Sequence, residues 1–384
     1  MKNAGHLLSH IGGARSLVLL AWSVSRVFAL GGQADEAGCA ACHAEKTADY
    51  LHSAHARTTS WPTAETVKGN FSPGANTMET SDPNLSFLME RIGPDFFQTA
   101  IFTTPEKTLR RREHIDLVVG SGRKGQTYLY WDKDLLLELP VSRWVATDTW
   151  MNSPGYPDGT ANFDRGVSDR CLECHATSFV ARPPPRNRFV RASIVPGISC
   201  QKCHGPAAEH VARMQAGGTP GDSHIVNPAK LSRERQMDLC SLCHAGVGTA
   251  LAPPLSYTAG DVLAKYLAIA QPDPARPLDP HGSQVQGLMA SRCYRESGTL
   301  TCLACHDVHA EQRQAADYST KCLACHQPAA CGEFAKTGAQ ITGQCVTCHM
   351  PLQTTAKIVM RLNGERHQPQ VRSHRIGVPA APAP

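Results

Sequence analysis

The stretch CLACHDVHAEQRQAADYSTKCLACH, residues 302–326, contains the pentapeptide CLACH twice. Each copy places two cysteines three positions apart and a histidine directly after the second cysteine. The spacing CxxC alone is ambiguous, because zinc sites and thiol redox centres both use it. The histidine in the next position indicates a third chemistry, in which the two cysteines form thioethers with a haem and the histidine ligates its iron.

The motif CxxCH occurs seven times, and its cysteines account for 14 of the 16 in the chain. In chain order, motifs 1 to 7 are Cys39-Cys42-His43, Cys171-Cys174-His175, Cys200-Cys203-His204, Cys240-Cys243-His244, Cys302-Cys305-His306, Cys322-Cys325-His326 and Cys345-Cys348-His349. At the overall frequency of histidine, seven such placements by chance have a probability of roughly one in a billion. We therefore predict seven covalently attached c-type haems, held by these cysteines and histidines.

The composition predicts an interior made largely of cofactor. Aromatic residues are 6% of the 384-residue chain, which also contains 31 Gly and 27 Pro. Such a chain has few large apolar side chains for its length. We expect porphyrins to fill the interior, wrapped by short helices and loops. The predicted fold is mainly α with extensive loops, a multihaem cytochrome c architecture.

The interval between motifs 1 and 2 has no haem motif. Within it, residues 114–139 alternate apolar and polar side chains between turn segments, which predicts a small β-hairpin or meander insert. Gly120, Gly122 and Gly125 match a dinucleotide fingerprint, but that fingerprint requires a following helix. The sequence QTYLYW that follows is typical of a strand, so no nucleotide cofactor is predicted. We expect the insert to cover the first haems as a structural lid, or else to shape a substrate pocket or dock a partner.

The N-terminus has the features of a cleavable signal peptide. A basic start is followed by the apolar run SLVLLAWSV, and Gly32-Gln33-Ala34 offers a small-x-small cleavage site. Export predicts a periplasmic or extracellular location. The predicted organisation is a signal peptide at 1–34, a first haem segment at 35–59, a haem-free insert with the β-meander at 60–165, a six-haem cytochrome domain at 166–378 and a disordered tail at 379–384. The net charge of +5 comes from scattered basic residues, and no nucleic-acid partner is predicted.

Other histidines could ligate the second axial position of each iron. Outside the motifs and the leader, nine remain: His52, His55, His114, His210, His224, His281, His309, His367 and His374. His309 follows His306 by three residues, too near to reach the far side of the same haem but well placed to ligate a neighbouring one. The predicted distal ligands are His55, His210, His224, His281, His309 and His374. Ligation by His52, His114 and His367 is left open.

Two cysteines, Cys293 and Cys331, lie outside the motifs. In an exported chain a disulfide between them is expected. The alternative is two free or buried thiols.

The chain resembles the exported multihaem cytochromes c of the cytochrome c-554 type. The resemblance rests on SAHA, SCQKCHGPAAEH, NPAKL, DLCSLCH, TCLACHDVH and CVTCHMP, and it spans most of the chain after the leader. It implies mostly bis-histidine haems packed in pairs, and a role in electron transfer. It supports distal ligation by the six histidines predicted above.

Two classes of function remain open. The favoured class is an electron carrier, without enzymatic activity, between a redox protein or a membrane quinol-oxidising complex as donor and an unknown acceptor. The alternative is a multihaem oxidoreductase that acts on a small nitrogen or sulfur compound at one five-coordinate haem. The candidate for this haem is the first or second motif, near His114, Arg123 and Tyr128 of the insert. Such an enzyme needs an open iron position and acid–base groups beside it. A subunit of a larger extracellular electron-conducting assembly is a third possibility.

Overall fold

The computed structural model describes residues 36–183, 187–219, 221, 224–271, 279, 284–312, 314–355 and 358–378. Helices make up 31% and strands 24% of the structure. The mainly α prediction is therefore wrong, and the chain is a β-rich fold with short helices and long loops. The predicted signal peptide, the predicted tail and His281 lie outside the described residues.

The α-helices are short and most of them carry part of a haem motif. They are α1 (Glu36–Leu51), α2 (Asp169–His175), α3 (Cys200–His204), α4 (Ala208–Gln215), α5 (Arg233–His244), α6 (Gln284–Ala290), α7 (Arg292–Glu296), α8 (Ala315–Cys322), α9 (Phe334–Thr337) and α10 (Cys345–His349). Single turns of 3₁₀ helix lie at Arg191–Ser193, Pro228–Lys230, Leu263–Lys265, Cys302–Ala304 and Pro328–Ala330, and a longer one at Gly338–Gln344.

Ten strands precede motif 2 and form the two main sheets. They are β1 (Thr59–Ser60), β2 (Thr77–Glu79), β3 (Leu85–Ile92), β4 (Asp95–Thr103), β5 (Thr108–His114), β6 (Leu117–Val119), β7 (Gly125–Asp132), β8 (Leu135–Glu138), β9 (Val141–Trp144) and β10 (Thr149–Asn152). One sheet has the order β2-β3-β4-β5. The other has the order β1-β6-β7-β9-β10, with β8 paired to β7. We call these ten strands the β-sheet unit.

The remaining strands form four small two-stranded sheets. They are β11 (Ala176–Ser178) with β12 (Val195–Pro196), β13 (Thr249–Ala250) with β14 (Leu267–Ala268), β15 (Leu352–Thr354) with β18 (Gln370–Arg372), and β16 (Met360–Leu362) with β17 (Glu365–His367).

The β-sheet unit is larger than the predicted insert because five strands, β1 to β5, precede β6 and two strands, β9 and β10, follow β8. Residues 114–139 do contain three consecutive antiparallel strands, β6, β7 and β8. The hairpin of β3 and β4 was not predicted, although Leu85, Phe87 and Met89 alternate with more exposed neighbours and are buried. Each strand of this hairpin therefore presents one apolar face to a core.

The two faces of the six-stranded sheet bury different clusters. Val118, Tyr128 and Tyr130 pack toward the four-stranded sheet, with Phe87, Met89 and Trp150. Leu117 and Leu129 point the other way and pack with Leu172 of α2. Because successive strand residues point to opposite faces, one sheet forms a core of its own and also supports the helix that carries motif 2. Each fully buried side chain of this size contributes about 1.5–3 kcal/mol.

Four helices, α2, α3, α5 and α10, end on the histidine of their motif. On an α-helix, positions i, i+3 and i+4 share a face, so the two cysteines and the histidine of CxxCH point the same way. In α2 the side chain of Ser168 accepts a hydrogen bond from the backbone N–H of Cys171, which caps the helix directly before the motif. Helix α3 is followed by Gly205, whose φ of +76° suits glycine.

Among the residues that the structure describes, no helix is both long enough and apolar enough to span a membrane.

Candidate functional site

All seven motifs line one continuous cavity of about 3560 Å³. Both cysteines and the histidine of every motif contribute to its wall. A pocket for a single small ligand usually measures about 300–1,000 Å³, so this volume suits several large groups side by side. We call it the central cavity.

Four motif histidines face a second histidine across the central cavity. The pairs, with their ring-centroid distances and interplanar angles, are His43–His210 (6.3 Å, 14°), His55–His244 (5.9 Å, 81°), His204–His309 (6.0 Å, 28°) and His306–His374 (6.1 Å, 20°). Four of the six histidines predicted as distal ligands therefore lie opposite a motif histidine.

The spacing of these pairs fits a metal ion held between two imidazoles. Metal–imidazole bonds are about 2 Å long, and a ring centre lies roughly 1 Å behind its nitrogen, so two axial rings have centres about 6 Å apart. Together with two thiols beside each motif histidine, this donor set fits a covalently attached haem with two axial histidines.

Hydrogen bonds orient several motif histidines from behind. Nδ1 of His204 lies 2.8 Å from the carbonyl of Val226, and Nδ1 of His349 lies 2.9 Å from the carbonyl of Gly377. A bond from Nδ1–H to a carbonyl fixes the tautomer and leaves Nε2 free for a metal. Nδ1 of His175 instead lies 2.9 Å from the hydroxyl of Thr58.

Burial keeps the central imidazoles neutral, as metal ligation requires. It is the main cause of the low pKa of His244, about 4, and nearby imidazoles, His55 first among them, contribute to the same shift. Burial likewise lowers the pKa of His374 to about 4. The pKa of His55, His306 and His309 is lowered mainly by burial as well.

Motif 4 lies in direct contact with two other motifs. The thiols of Cys243 and Cys174 are hydrogen-bond partners, which raises the pKa of Cys243 and lowers that of Cys174. Motif 4 meets motif 5 in the same way through Cys240 and Cys302, and this contact raises the pKa of Cys240. The thioether positions of three motifs therefore lie together around α5.

The other candidate histidines that the structure describes do not line the central cavity. His224 forms an ion pair with Glu209 at 2.9 Å. His52 bonds to Arg57 at 2.6 Å. His114 lies in β5 between Asp95 and Asp116, and His367 lies in β17 with Glu365 at 3.9 Å.

Motifs 2, 6 and 7 are not among the four motifs with facing histidines. Their histidines also line the central cavity, and they are His175, His326 and His349. Among the described residues, neither His326 nor His349 has a second histidine ring at stacking distance. The described part of the chain contains no cluster of three His, Cys, Asp or Glu side chains that could hold a metal ion by themselves.

Cys293 and Cys331 are both free thiols in the structure. The disulfide expected from the sequence is therefore not present. Both side chains also line the central cavity.

The β-sheet unit reaches the central cavity through the turn between β6 and β7. Gly120, Arg123 and Gly125 of this turn line the cavity, so the glycine spacing that resembles a dinucleotide fingerprint forms a hairpin turn. The Arg123 guanidinium bonds to a carboxylate oxygen of Glu311 through Nε at 3.1 Å and Nη2 at 2.6 Å. Arg123 was a candidate from the sequence for a residue beside a haem, whereas the role of Thr58 was not predicted, because Thr58 belongs to no metal-binding motif.

Comparison with known proteins agrees with this chemistry. Residues 154–205, which contain motifs 2 and 3, match the family of cytochrome c554 and c-prime. This match supports the identification of a multihaem c-type cytochrome. Proteins of this kind carry covalently bound haem c and transfer electrons, so the resemblance drawn from the motifs is confirmed at that level.

One solved structure is similar to this chain. It is the undecaheme cytochrome from the S-layer of Carboxydothermus ferrireducens, with 18% sequence identity and a TM-score of 0.34. The match covers 69% of this chain and 45% of that one, so the chain spans less than half the length of that protein. No curated protein matches the chain.

Proposed function

We propose that the chain is a heptahaem c-type cytochrome that transfers electrons between redox partners outside the cytoplasm. The observation that carries the proposal is that all seven motifs line one continuous cavity. A chain that held its haems in separate pockets would isolate them. Here each motif opens into the same interior, and motif 4 contacts motifs 2 and 5 through its cysteines.

The chain's own residues have three tasks in this proposal. The motif cysteines tether the haems, which supply one-electron redox chemistry when bound. The motif histidines and the facing histidines would hold the haem irons, with His210, His309, His55 and His374 serving motifs 1, 3, 4 and 5 respectively. The low pKa of His244 and His374 keeps both imidazoles neutral at neutral pH, so each has one unprotonated nitrogen that can bind a metal. His281 and His224 remain proposed distal ligands, and neither is assigned to a particular motif.

The proposed donor is a redox protein or a membrane quinol-oxidising complex, and the acceptor is unknown. The proposed location is periplasmic or extracellular, because residues 1–34 have the pattern of an export signal and covalent haem attachment suits export.

The count and ligation can be tested on the purified, haem-loaded protein. Intact-mass spectrometry is expected to give the mass of the chain from residue 35 plus seven haems. Peptide mapping is expected to find one haem on each motif. Fewer than seven attached haems would overturn the heptahaem proposal, whereas all seven with no reduction by any redox partner would overturn the carrier role.

A second function, oxidation or reduction of a small nitrogen or sulfur compound, is favoured by motifs 6 and 7. Their histidines line the central cavity without a facing histidine among the described residues. An iron with one histidine ligand can bind an external ligand. Carbon monoxide binding to the reduced protein, together with a high-spin electron paramagnetic resonance (EPR) signal in the oxidised protein, would support this function. Only low-spin signals and no carbon monoxide binding would favour the carrier.

A further inference from the structure

One hydrogen bond links the residue directly before β1 to a haem motif. The hydroxyl oxygen Oγ1 of Thr58 lies 2.9 Å from Nδ1 of His175, the histidine of motif 2. The carbonyl oxygen of Thr58 lies 3.5 Å from the same nitrogen, which is long for a hydrogen bond. His204 and His349 use backbone carbonyls for the corresponding contact, so this contact to His175 can be removed by a side-chain substitution.

The sheet holds Thr58 in place. The backbone N–H of Gly120 donates a 2.7 Å hydrogen bond to the carbonyl of Thr58. The next residue, Thr59, pairs with Val119 in the ladder of β1 and β6. Gly120 has a φ of +106°, and a Cβ there would lie 2.6 Å from the carbonyl oxygen of Gly125, so only glycine fits. The turn before β7 therefore fixes the backbone from which the Thr58 hydroxyl reaches the cavity.

The turn at residues 55–58, directly before β1, contacts two motifs. The backbone N–H of Thr58 donates to the carbonyl of His55 at 3.2 Å, and the His55 ring faces His244 of motif 4. A displacement of this turn would change the contacts of His175 in motif 2 and of His244 in motif 4 together. Loss of the Thr58 hydroxyl alone would change the contacts of His175.

We propose that Thr58 is a positioning residue through which the β-sheet unit orients the His175 imidazole and increases its electron donation to the haem iron of motif 2. The inference rests on the proposed function, because it requires a haem at motif 2. With the metal on Nε2, Nδ1 keeps its proton and donates it to Thr58 Oγ1. Such a bond fixes the ring and raises the basicity of the ligand. A more basic ligand stabilises ferric over ferrous iron, so loss of the bond raises the reduction potential.

The test compares Thr58→Val, which removes the hydroxyl at nearly constant shape, with Thr58→Ser, which keeps it. Both full-length proteins are titrated potentiometrically, with optical and EPR detection. In Thr58→Val we expect one one-electron transition to move to higher potential and one low-spin EPR signal to change its g values. In Thr58→Ser we expect both to stay at wild-type values. Thr342→Val is the matched control, because Thr342 lines the cavity but its hydroxyl donates to the carbonyl of Ala339 at 2.8 Å.

A wild-type titration and EPR spectrum in Thr58→Val would overturn the proposal, as would an equal shift in Thr342→Val. If Thr58→Val does not assemble, Thr58→Ala removes the hydroxyl without adding a methyl group and is judged by the same two readouts. Failure of both variants to assemble while Thr58→Ser assembles would assign Thr58 a folding role and also overturn the proposal. Peptide mass spectrometry of wild-type motif 2 separates this outcome from failure of the proposed function, since an unmodified motif 2 would refute the haem itself.

Discussion

The imidazoles of His204 and His309 face each other with ring centroids 6.0 Å apart and planes 28° from parallel. His309 directly follows motif 5, whereas His204 belongs to motif 3. The segment that carries one motif thus completes the site of another. His210 does the same for motif 1, because it follows motif 3 and faces His43. Sites built in this way cannot assemble one at a time along the chain.

His309→Ala is expected to convert the haem of motif 3 from low spin to high spin. The variant keeps His204 and both cysteines of motif 3, so the haem stays attached while one axial position opens. EPR of the oxidised protein should show a new high-spin signal from one haem, and the reduced protein should bind carbon monoxide at one additional site. His367→Ala is the control, because His367 does not line the cavity. An unchanged spectrum in His309→Ala would show that His309 does not ligate iron.

Leu139→Ala is expected to destabilise the β-sheet unit by about 2–5 kcal/mol, because truncation of a fully buried leucine leaves a cavity. Leu139 is fully buried in the cluster between the two main sheets. Near-ultraviolet circular dichroism reports on this unit, since all tryptophans after residue 34 lie within residues 61–150. The matched control is Leu109→Ala, whose side chain is 52% exposed and whose loss should cost less than about 0.5 kcal/mol. Equal urea midpoints for the two variants would contradict the assigned core.

The contact between Arg123 and Glu311 is expected to contribute modestly to the attachment of the β-sheet unit. Their side chains are 34% and 24% exposed, so solvent screens much of the attraction, and a double-mutant cycle should give a coupling energy of about 0.5–1 kcal/mol. The variants are Arg123→Gln and Glu311→Gln, measured by urea unfolding. The exposed pair Lys336 and Glu333 serves as the control, with a smaller coupling expected. No coupling between Arg123 and Glu311 would mean that the contact does not hold the two parts together.

The chemistry of this chain was predictable from local sequence, whereas its fold class was not. A CxxCH motif carries its own geometry, because Cys171, Cys174 and His175 share one helix face wherever the helix lies. The prediction of a mainly α fold failed because it was based on the composition of the whole chain, which does not reveal local alternation of apolar and polar residues. The alternation at Leu85, Phe87 and Met89, followed by the turn at Gly93, was a readable strand signal.

The sequence limited the histidines that could face a motif histidine, but it did not determine which pairs form across the cavity. Position in the chain made His309 available to a neighbouring haem, but its approach to His204 depends on how distant segments pack. Thr58 gave no signal, since a threonine before a two-residue strand has no distinctive pattern. Its contact with His175 arises from the register of β1 with β6.

Glu138→Gln is expected to make the β-sheet unit more stable at alkaline pH. The carboxyl of Glu138 has 15% of its side chain exposed and lies 3.2 Å from Arg165. Burial raises its pKa from 4.5 to about 7, and the positive charge of Arg165 opposes the rise only in part. The folded state therefore binds the proton more tightly than the unfolded state. This contribution to stability is complete below about pH 4.5 and is lost as the pH rises through about 7.

At about 1.4 kcal/mol per pH unit, the loss between pH 4.5 and about 7 reaches at most about 3.5 kcal/mol in wild type. Glutamine stays neutral, so urea unfolding of Glu138→Gln at pH 5 to 8 should show a flatter profile, with the largest advantage over wild type at pH 8. Glu106→Gln, at an exposed glutamate between β4 and β5, should keep the wild-type profile. If wild type and Glu138→Gln respond identically to pH, the carboxyl of Glu138 is already ionised throughout this range, and its pairing with Arg165 outweighs burial.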